Sequence, residues 1–284
     1  MTDTEPLLAH VPVTQLSEAP SEWMLFLHGI LGSKSNWRSI ARRLVAKQPG
    51  LGALLVDLRM HGNSRGLAPP HTVESAARDV LALEAKLGAP VRAVLGHSFG
   101  GKVALAYARA RNDDALRDVW VIDSLPGARA TRRGSEGTLL VIELLRSLGS
   151  RFESREKFVE QVLAHGLARD LATFLAMNLE RDATGDAFVL RLDLDAITEM
   201  LDDYFAQDLW PVVEHPPGRA RIHLVVGGKS GLFEPTDLER ARAAVAALPE
   251  RVFLTVFPDA GHWIHTEAPD ELLRLVSDAA RTAD

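Results

Sequence analysis

The stretch VLGHSFGGKVALAYARA, residues 94–110, decides the predicted fold. An apolar run ends in a serine flanked by glycines, and apolar residues at helical spacing follow at once, which predicts a strand, a tight turn and a helix. The turn fits G-x-S-x-G, with Gly96 and Gly100 two residues on either side of Ser98. Such a turn is strained and lifts the serine Oγ above the sheet. The positions two residues before and two residues after the serine then lie so close together that they have no room for side chains. We therefore predict that Ser98 is a nucleophile and its neighbour His97 a bystander. An ordinary turn that needs small residues is the alternative.

The rest of the chain repeats this alternation of strand and helix. Six short runs are almost continuously apolar, as strands covered on both faces are, and a weaker strand candidate lies at residues 7–14. Helical patterns separate most of these runs, which predicts a mostly parallel sheet with helices on both faces. The six runs are residues 23–28, 53–57, 91–96, 118–123, 222–227 and 252–257.

The alternation is interrupted once, between residues 126 and 207, where the sequence has helical patterns and few β-branched runs. We interpret residues 126–207 as a helical cap inserted into an α/β core formed by residues 1–125 and 208–284. An insertion at this point lies over the carboxyl ends of the strands, where α/β sheets bind their ligands.

Composition narrows the function classes. The chain has 284 residues, a net charge of -6 and no cysteine, so that a disulfide framework, a zinc-thiolate site and a cysteine nucleophile are excluded. The acidic balance without a basic block argues against nucleic acid as a partner. No apolar run approaches the ~20 residues of a membrane span, and the first 13 residues lack the features of a signal peptide. These features predict a cytoplasmic protein.

A serine needs a base to become nucleophilic, and His262 is the best placed of the ten histidines. It follows the last predicted strand and precedes the last helix, in the stretch FPDAGHWIHTEAPDELL. The glycine before it suits a loop that presents a side chain, and the chain order of serine, acid and histidine matches that of nucleophile elbows of this kind. His265 is the rival candidate, with packing beside the site as its other interpretation.

The sequence identifies the acid that orients the histidine less directly. The loop after residues 222–227 has no aspartate in its first turn, although Glu234 and Asp237 come later in it. Asp123 ends the preceding strand, at the sheet edge where catalytic groups gather, and we predict that it is the acid. Glu234 and Asp237 stay open as alternatives, and a turn or cap role is the other interpretation of Asp123.

The oxyanion of an acyl-transfer reaction needs hydrogen-bond donors. In sheets with this elbow, one donor follows the serine and the other lies in the loop after an earlier strand. These would be the backbone N–H groups of Phe99 and Ile30, and His28 is expected to brace that loop. Asp57 and Arg59 end another strand. Asp57 could in principle be the acid, but it precedes Ser98, in the wrong chain order, so that a loop-bracing ion pair is expected instead.

Four segments, HGILGSKSNW, VDLRMHGNS, GHSFGGKVAL and GHWIHTEAP, occur in this order and resemble the α/β-hydrolase superfamily. More narrowly, the first three resemble small YbfF-type bacterial esterases and thioesterases. The resemblance covers almost the whole chain except the cap. It implies a carboxylesterase or thioesterase with a small helical cap and with the acid after the earlier strand, as at Asp123.

The mechanism implied is hydrolysis of a small-molecule ester or thioester through an acyl-enzyme, with no metal or organic cofactor required. Other chemistry on the same fold stays open, namely carbon–carbon bond hydrolysis, cofactor-free haloperoxidation and acyl transfer. A non-catalytic small-molecule receptor is a further alternative. The acyl length, the leaving group and the oligomeric state do not follow from the sequence.

Overall fold

The computed structural model describes residues 7–15, 19–129 and 136–281. Two of the sequence-based predictions fall partly outside these ranges. They concern residues 1–6, where no signal peptide is expected, and residues 130–135, which belong to the predicted cap. The strands are β1 (His10–Val13), β2 (Glu22–Leu27), β3 (Leu51–Val56), β4 (Val91–His97), β5 (Asp118–Ile122), β6 (Arg151–Phe152), β7 (Leu179–Arg181), β8 (Phe188–Leu190), β9 (Arg221–Gly227) and β10 (Val252–Phe257).

A short 3₁₀ helix, Lys34–Trp37, precedes the first α-helix. The α-helices are α1 (Arg38–Lys47), α2 (Val73–Glu84), α3 (Phe99–Arg111), α4 (Glu136–Leu148), α5 (Arg155–Ala164), α6 (Arg169–Ala176), α7 (Leu194–Ala206), α8 (Trp210–Glu214), α9 (Pro235–Ala247), α10 (Ile264–Glu267) and α11 (Pro269–Arg281). None of the helices in the described ranges is both long and apolar enough to cross a membrane.

The main sheet in the described part of the chain has seven strands in the order β1-β3-β2-β4-β5-β9-β10. Strand β1 pairs antiparallel with β3, and the other neighbours pair parallel. The six predicted strands and the weaker candidate are all present, so that the predicted, mostly parallel sheet is confirmed. Because the parallel strands end at one edge, the residues that follow β2, β4, β5 and β10 are brought close together.

The sheet is buried on both faces, which explains the continuous apolar runs. Along β2, Met24 and Phe26 pack on the face covered by α1 and α11, and Leu25 and Leu27 pack on the face covered by α2 and α3. Burying each such side chain contributes about 1.5–3 kcal/mol. Helix α3 lies so deep that its residues from Phe99 to Ala108 are all buried, and it therefore fixes the turn at its own start.

Between β5 and β9 lie α4, α5, α6, α7 and α8, and the first four of these helices fall within residues 126–207. This segment also holds a three-stranded antiparallel sheet in the order β6-β8-β7, which the sequence did not predict. Strands of two or three residues are too short to show an alternating pattern. We keep residues 126–207 as the proposed bounds of the cap.

Lys102, on α3, binds both of the segments that connect the core to the proposed cap. Its buried Nζ donates to the carbonyl oxygens of Gly127 and Gln207, at 2.8 Å each, and to that of Tyr204. Burial lowers the pKa of Lys102 to about 7, although three carbonyl acceptors suit the ammonium form. The helix that starts at Ser98 is thus tied directly to the base of the cap.

Candidate active site

Ser98 lies in the turn between β4 and α3, with φ 51° and ψ −120°. A Cβ atom on Gly96 would lie 1.9 Å from the carbonyl oxygen of Gly100, and glycine at that position is therefore obligatory. The Ser98 N–H donates to the Ile122 oxygen at 3.0 Å, which ties the turn to β5. The strained turn expected from G-x-S-x-G is present, and the glycines permit it.

Asp123 is fully buried at the end of β5 and has a positive φ of 40°. Its N–H donates to the Val225 oxygen at 2.7 Å, which extends the ladder between β5 and β9 by one residue. Its Oδ1 accepts from the Gly227 N–H at 2.9 Å, and its Oδ2 lies 2.7 Å from Nδ1 of His262. Asp123 therefore joins two strands and the histidine loop.

His262 lies in the loop between β10 and α10, with a side chain that is 33% exposed. A carboxylate accepts hydrogen bonds only, so that Nδ1 is the donor to Asp123, and in the neutral form of the ring Nε2 carries the lone pair. Both His262 and Ser98 line the same cavity. The structure thus places all three residues predicted for the reaction at one edge of the sheet.

The rival residues have other surroundings. His265 is buried in α10 against Trp37, with ring centroids 4.8 Å apart, and its Nδ1 has no hydrogen-bond partner in the described structure. Burial, with a smaller effect of the nearby His262, lowers the pKa of His265 to about 4. Glu234 and Asp237 cap the start of α9, and Asp237 also forms an ion pair of 2.7 Å with Arg129.

His97 has a closer connection to His262 than the sequence suggests. Its Nε2 lies 2.8 Å from the backbone oxygen of His262, and the two ring centroids are 4.6 Å apart. Burial, and after it the neighbouring His262 and His265, hold the pKa of His97 well below its ordinary value. A neutral His97 donates this hydrogen bond and fixes the backbone that carries His262.

The loop after β2 runs directly past the nucleophile turn. A Cβ atom on Gly29 would lie 3.1 Å from Cβ of Ser98. Ile30, Phe99 and Ser98 all line the cavity, so that the two residues predicted to supply oxyanion donors lie beside the serine. His28 braces the loop as predicted, because its Nε2 accepts from the Leu58 N–H at 3.0 Å.

Two bracing residues were missed by sequence reasoning. His61 is fully buried, and its Nε2 accepts from the Leu31 N–H at 3.2 Å. Burial lowers the pKa of His61 to about 3, which keeps the ring neutral and able to accept. Lys34 pairs with Asp57 through its Nζ, and its N–H donates to Oδ1 of Asp57 at 2.8 Å.

Arg59 forms a separate ion pair with Asp79, between Nε and Oδ2 at 3.0 Å. Asp57 and Arg59 therefore each brace a loop through an ion pair with another residue, and the single ion pair expected of them is replaced by these two.

The cavity in front of Ser98 has a volume of about 290 Å³, near the lower end of the ~300–1,000 Å³ typical of small-molecule sites. The described residues that line it are apolar or uncharged, apart from the histidines His97 and His262. The cap supplies one wall, including Phe174, whose ring meets that of Trp263 at a centroid distance of 4.4 Å. The site can hold an apolar group against a serine and a histidine.

The model of the alpha/beta hydrolase family matches residues 24–275. The sn-1-specific diacylglycerol lipase ABHD11 of Mus musculus is 30% identical over 259 residues, which cover 89% of this chain and 79% of that protein. A probable alcohol acetyltransferase of Saccharomyces cerevisiae is 26% identical, over 91% of this chain and 77% of that protein.

Solved structures share the fold. A marine microorganism esterase superposes with a TM-score of 0.80 at 24% identity, over 96% of this chain and 98% of that chain. The thioesterase domain from the curacin biosynthetic pathway gives a TM-score of 0.68 at 19% identity, over 95% and 94% of the two chains. At these identities the similarity shows the architecture and leaves the chemistry to the site.

Proposed function

The chain belongs to the α/β hydrolase family, and from this membership we propose that it is a serine hydrolase that cleaves a carboxylic ester or thioester. The observation that carries the proposal is the placement of Ser98 and His262 on one cavity, with Nδ1 of His262 held 2.7 Å from the buried Asp123. A serine and a histidine on one cavity, with the histidine held by a buried carboxylate, are the three groups that activate a hydroxyl for attack.

In the proposed reaction, Nε2 of His262 takes the proton of the Ser98 hydroxyl as Oγ attacks the carbonyl carbon. The backbone N–H groups of Ile30 and Phe99 stabilise the oxyanion that forms. His262 then gives its proton to the leaving alcohol or thiol, which leaves an acyl group on Ser98. Water, deprotonated by His262, attacks this ester, and His262 returns the proton to Oγ of Ser98 as the acid is released. Asp123 orients the ring and stabilises the imidazolium.

The cavity favours an uncharged, apolar acyl group. Its volume of about 290 Å³ suits a small molecule, and no Asp, Glu, Lys or Arg is among the described residues that line it. The ester chemistry in the name of the mouse lipase supports the same substrate class for this chain. We also keep a cytoplasmic location as a proposal, because a chain without cysteine fits a reducing compartment.

Acyl transfer to an alcohol is the second candidate, and the yeast relative named as a probable alcohol acetyltransferase is what favours it. The first half of the reaction would be the same, and an alcohol would replace water in the second. Adding ethanol to the assay separates the two, because a transferase forms the ethyl ester at the expense of the free acid.

The test of the proposal is a panel of p-nitrophenyl esters and acyl thioesters of increasing chain length, assayed with the wild type and with Ser98→Ala. We expect hydrolysis by the wild type and no turnover above background by Ser98→Ala. Ser147→Ala, at an exposed serine on α4, is the matched control and is expected to keep full activity. A wild type that binds esters without cleaving them would instead indicate a receptor.

A further inference from the structure

The residue next to the proposed oxyanion donor is held through both of its backbone polar groups. Leu31 directly follows Ile30 and has a positive φ of 61°, a conformation that a leucine adopts only when its surroundings impose it. Its N–H donates to His61 of the core at 3.2 Å, and its carbonyl oxygen accepts from Nδ2 of Asn178 at 2.8 Å. The second of these contacts comes from the proposed cap.

Asn178 is itself firmly placed. It follows α6, is buried to 3% exposure, and donates through its N–H to the Leu175 oxygen at 3.0 Å. Its own carbonyl oxygen accepts from the Arg191 N–H at 2.9 Å. Its Nδ2 faces two carbonyl oxygens, those of Leu31 at 2.8 Å and Leu175 at 3.3 Å. Only the NH₂ end of the amide suits that position, because an oxygen there would repel both carbonyls.

The helix before Asn178 forms part of the cavity wall, through Leu171 and Phe174. An acyl group in this cavity would contact α6, and the residue that holds the Leu31 carbonyl follows this helix directly. This chain of contacts connects the cap wall of the cavity to the loop that bears the Ile30 N–H.

We propose that Asn178 is a positioning residue that makes the oxyanion hole depend on the cap. By holding the Leu31 carbonyl, it keeps the Ile30 N–H aimed at the oxygen of the tetrahedral intermediate. The inference rests on the proposed function, since it concerns the same reaction. A displacement of about 1 Å in such a donor costs roughly 100-fold in rate, and loss of a whole donor costs roughly 100- to 1,000-fold.

The variants Asn178→Asp and Asn178→Ala test this proposal. The first places a carboxylate oxygen against the Leu31 carbonyl, and the second removes the donor. Asn112→Asp makes the same chemical change at an exposed residue beyond the far end of α3, about 20 Å from Ser98 at 1.5 Å per residue. The substrate is p-nitrophenyl butyrate. The number of active sites in each preparation is measured by labelling with a fluorophosphonate to completion, and kcat is divided by this number. This division removes the effect of any misfolded fraction.

We expect both Asn178 variants to lower kcat per labelled site by roughly 10- to 100-fold with KM within about threefold, and Asn112→Asp to match the wild type. A purely structural role would reduce the number of labelled sites or the Tm and leave kcat per site unchanged, which would overturn the inference. A rise in KM alone would also overturn it, since it would show that Asn178 only shapes the cavity. If the wild type has no esterase activity, or Ser98→Ala keeps it, the proposed function fails and the inference fails with it.

Discussion

Replacing Asp123 by asparagine removes a charge and keeps the shape of the side chain. The two carboxylate oxygens have different partners, the Gly227 N–H at 2.9 Å on Oδ1 and Nδ1 of His262 at 2.7 Å on Oδ2. Because the Gly227 N–H needs an acceptor, the amide oxygen takes the place of Oδ1 and the NH₂ group faces His262. The ring then accepts at Nδ1 and carries its proton on Nε2, the tautomer that cannot take a proton from Ser98.

The expected loss is large because Asp123 is fully buried and no solvent can replace it. The same exchange in serine proteases lowers kcat by roughly 10⁴-fold, equivalent to about 5.4 kcal/mol at 1.36 kcal/mol for each tenfold. Asp123 is absent from the described residues that line the cavity, so that substrate binding has little reason to change. We therefore expect a fall of roughly 10⁴-fold in kcat and a KM within a few-fold of the wild type.

The assay is steady-state hydrolysis of a p-nitrophenyl ester by Asp123→Asn, with Glu234→Gln and Asp237→Asn as carboxylate-to-amide controls. These controls change the cap of α9 and are expected to keep kcat near that of the wild type. The reasoning is refuted if Asp123→Asn stays within tenfold of the wild type, or if Glu234→Gln loses as much activity as Asp123→Asn.

Two further predictions concern stability. The pKa of His265 is lowered by burial from 6.5 to about 4, so that the unfolded chain binds a proton there before the folded chain does. Stability is therefore lost as the pH falls from about 6.5 to about 4, by roughly 3 kcal/mol from this group. Urea midpoints of His265→Phe should fall less steeply over this range than those of the wild type or of the exposed His165→Gln, and equal slopes would contradict the expectation. Lys102→Met leaves three carbonyl oxygens without their donor, which should cost about 3 kcal/mol and lower the Tm by roughly 5–10 °C in a thermal melt. An unchanged Tm would show that the segments that connect the core to the proposed cap do not depend on Lys102.

Most of the core could be predicted from the sequence because its strands are covered on both faces. Such strands read as continuous apolar runs, and their predicted and observed ends differ by at most two residues, as for residues 53–57 and the strand Leu51–Val56. The strands of the cap could not be found in this way. Leu179–Arg181 has three residues and directly follows a helical pattern, so that no period of two is visible.

The candidate site was predictable where a contact between residues close in sequence restricts which residue types can occur there. The glycines around Ser98 reflect the contact between Gly96 and Gly100, and the short loop after the last strand indicates His262. The contacts that brace the loop after β2 leave no such pattern in the sequence, because their partners are far apart along the chain. His61 acts on Leu31, 30 residues away, and Asn178 acts on the same residue across 147 positions. Only the folded arrangement shows that these side chains hold one loop.

The central claim is that Ser98 is a nucleophile activated by His262. Trypsin cleaves after Arg92 and Lys102 and releases residues 93–102, AVLGHSFGGK, in which Ser98 is the one serine. Mass spectrometry of the tryptic digest after fluorophosphonate treatment therefore reports on this residue directly. We predict one adduct per chain on this peptide, its absence in Ser98→Ala, and labelling at least about 1,000-fold slower in His262→Gln. An unlabelled wild type, or an adduct on another peptide, would contradict the account.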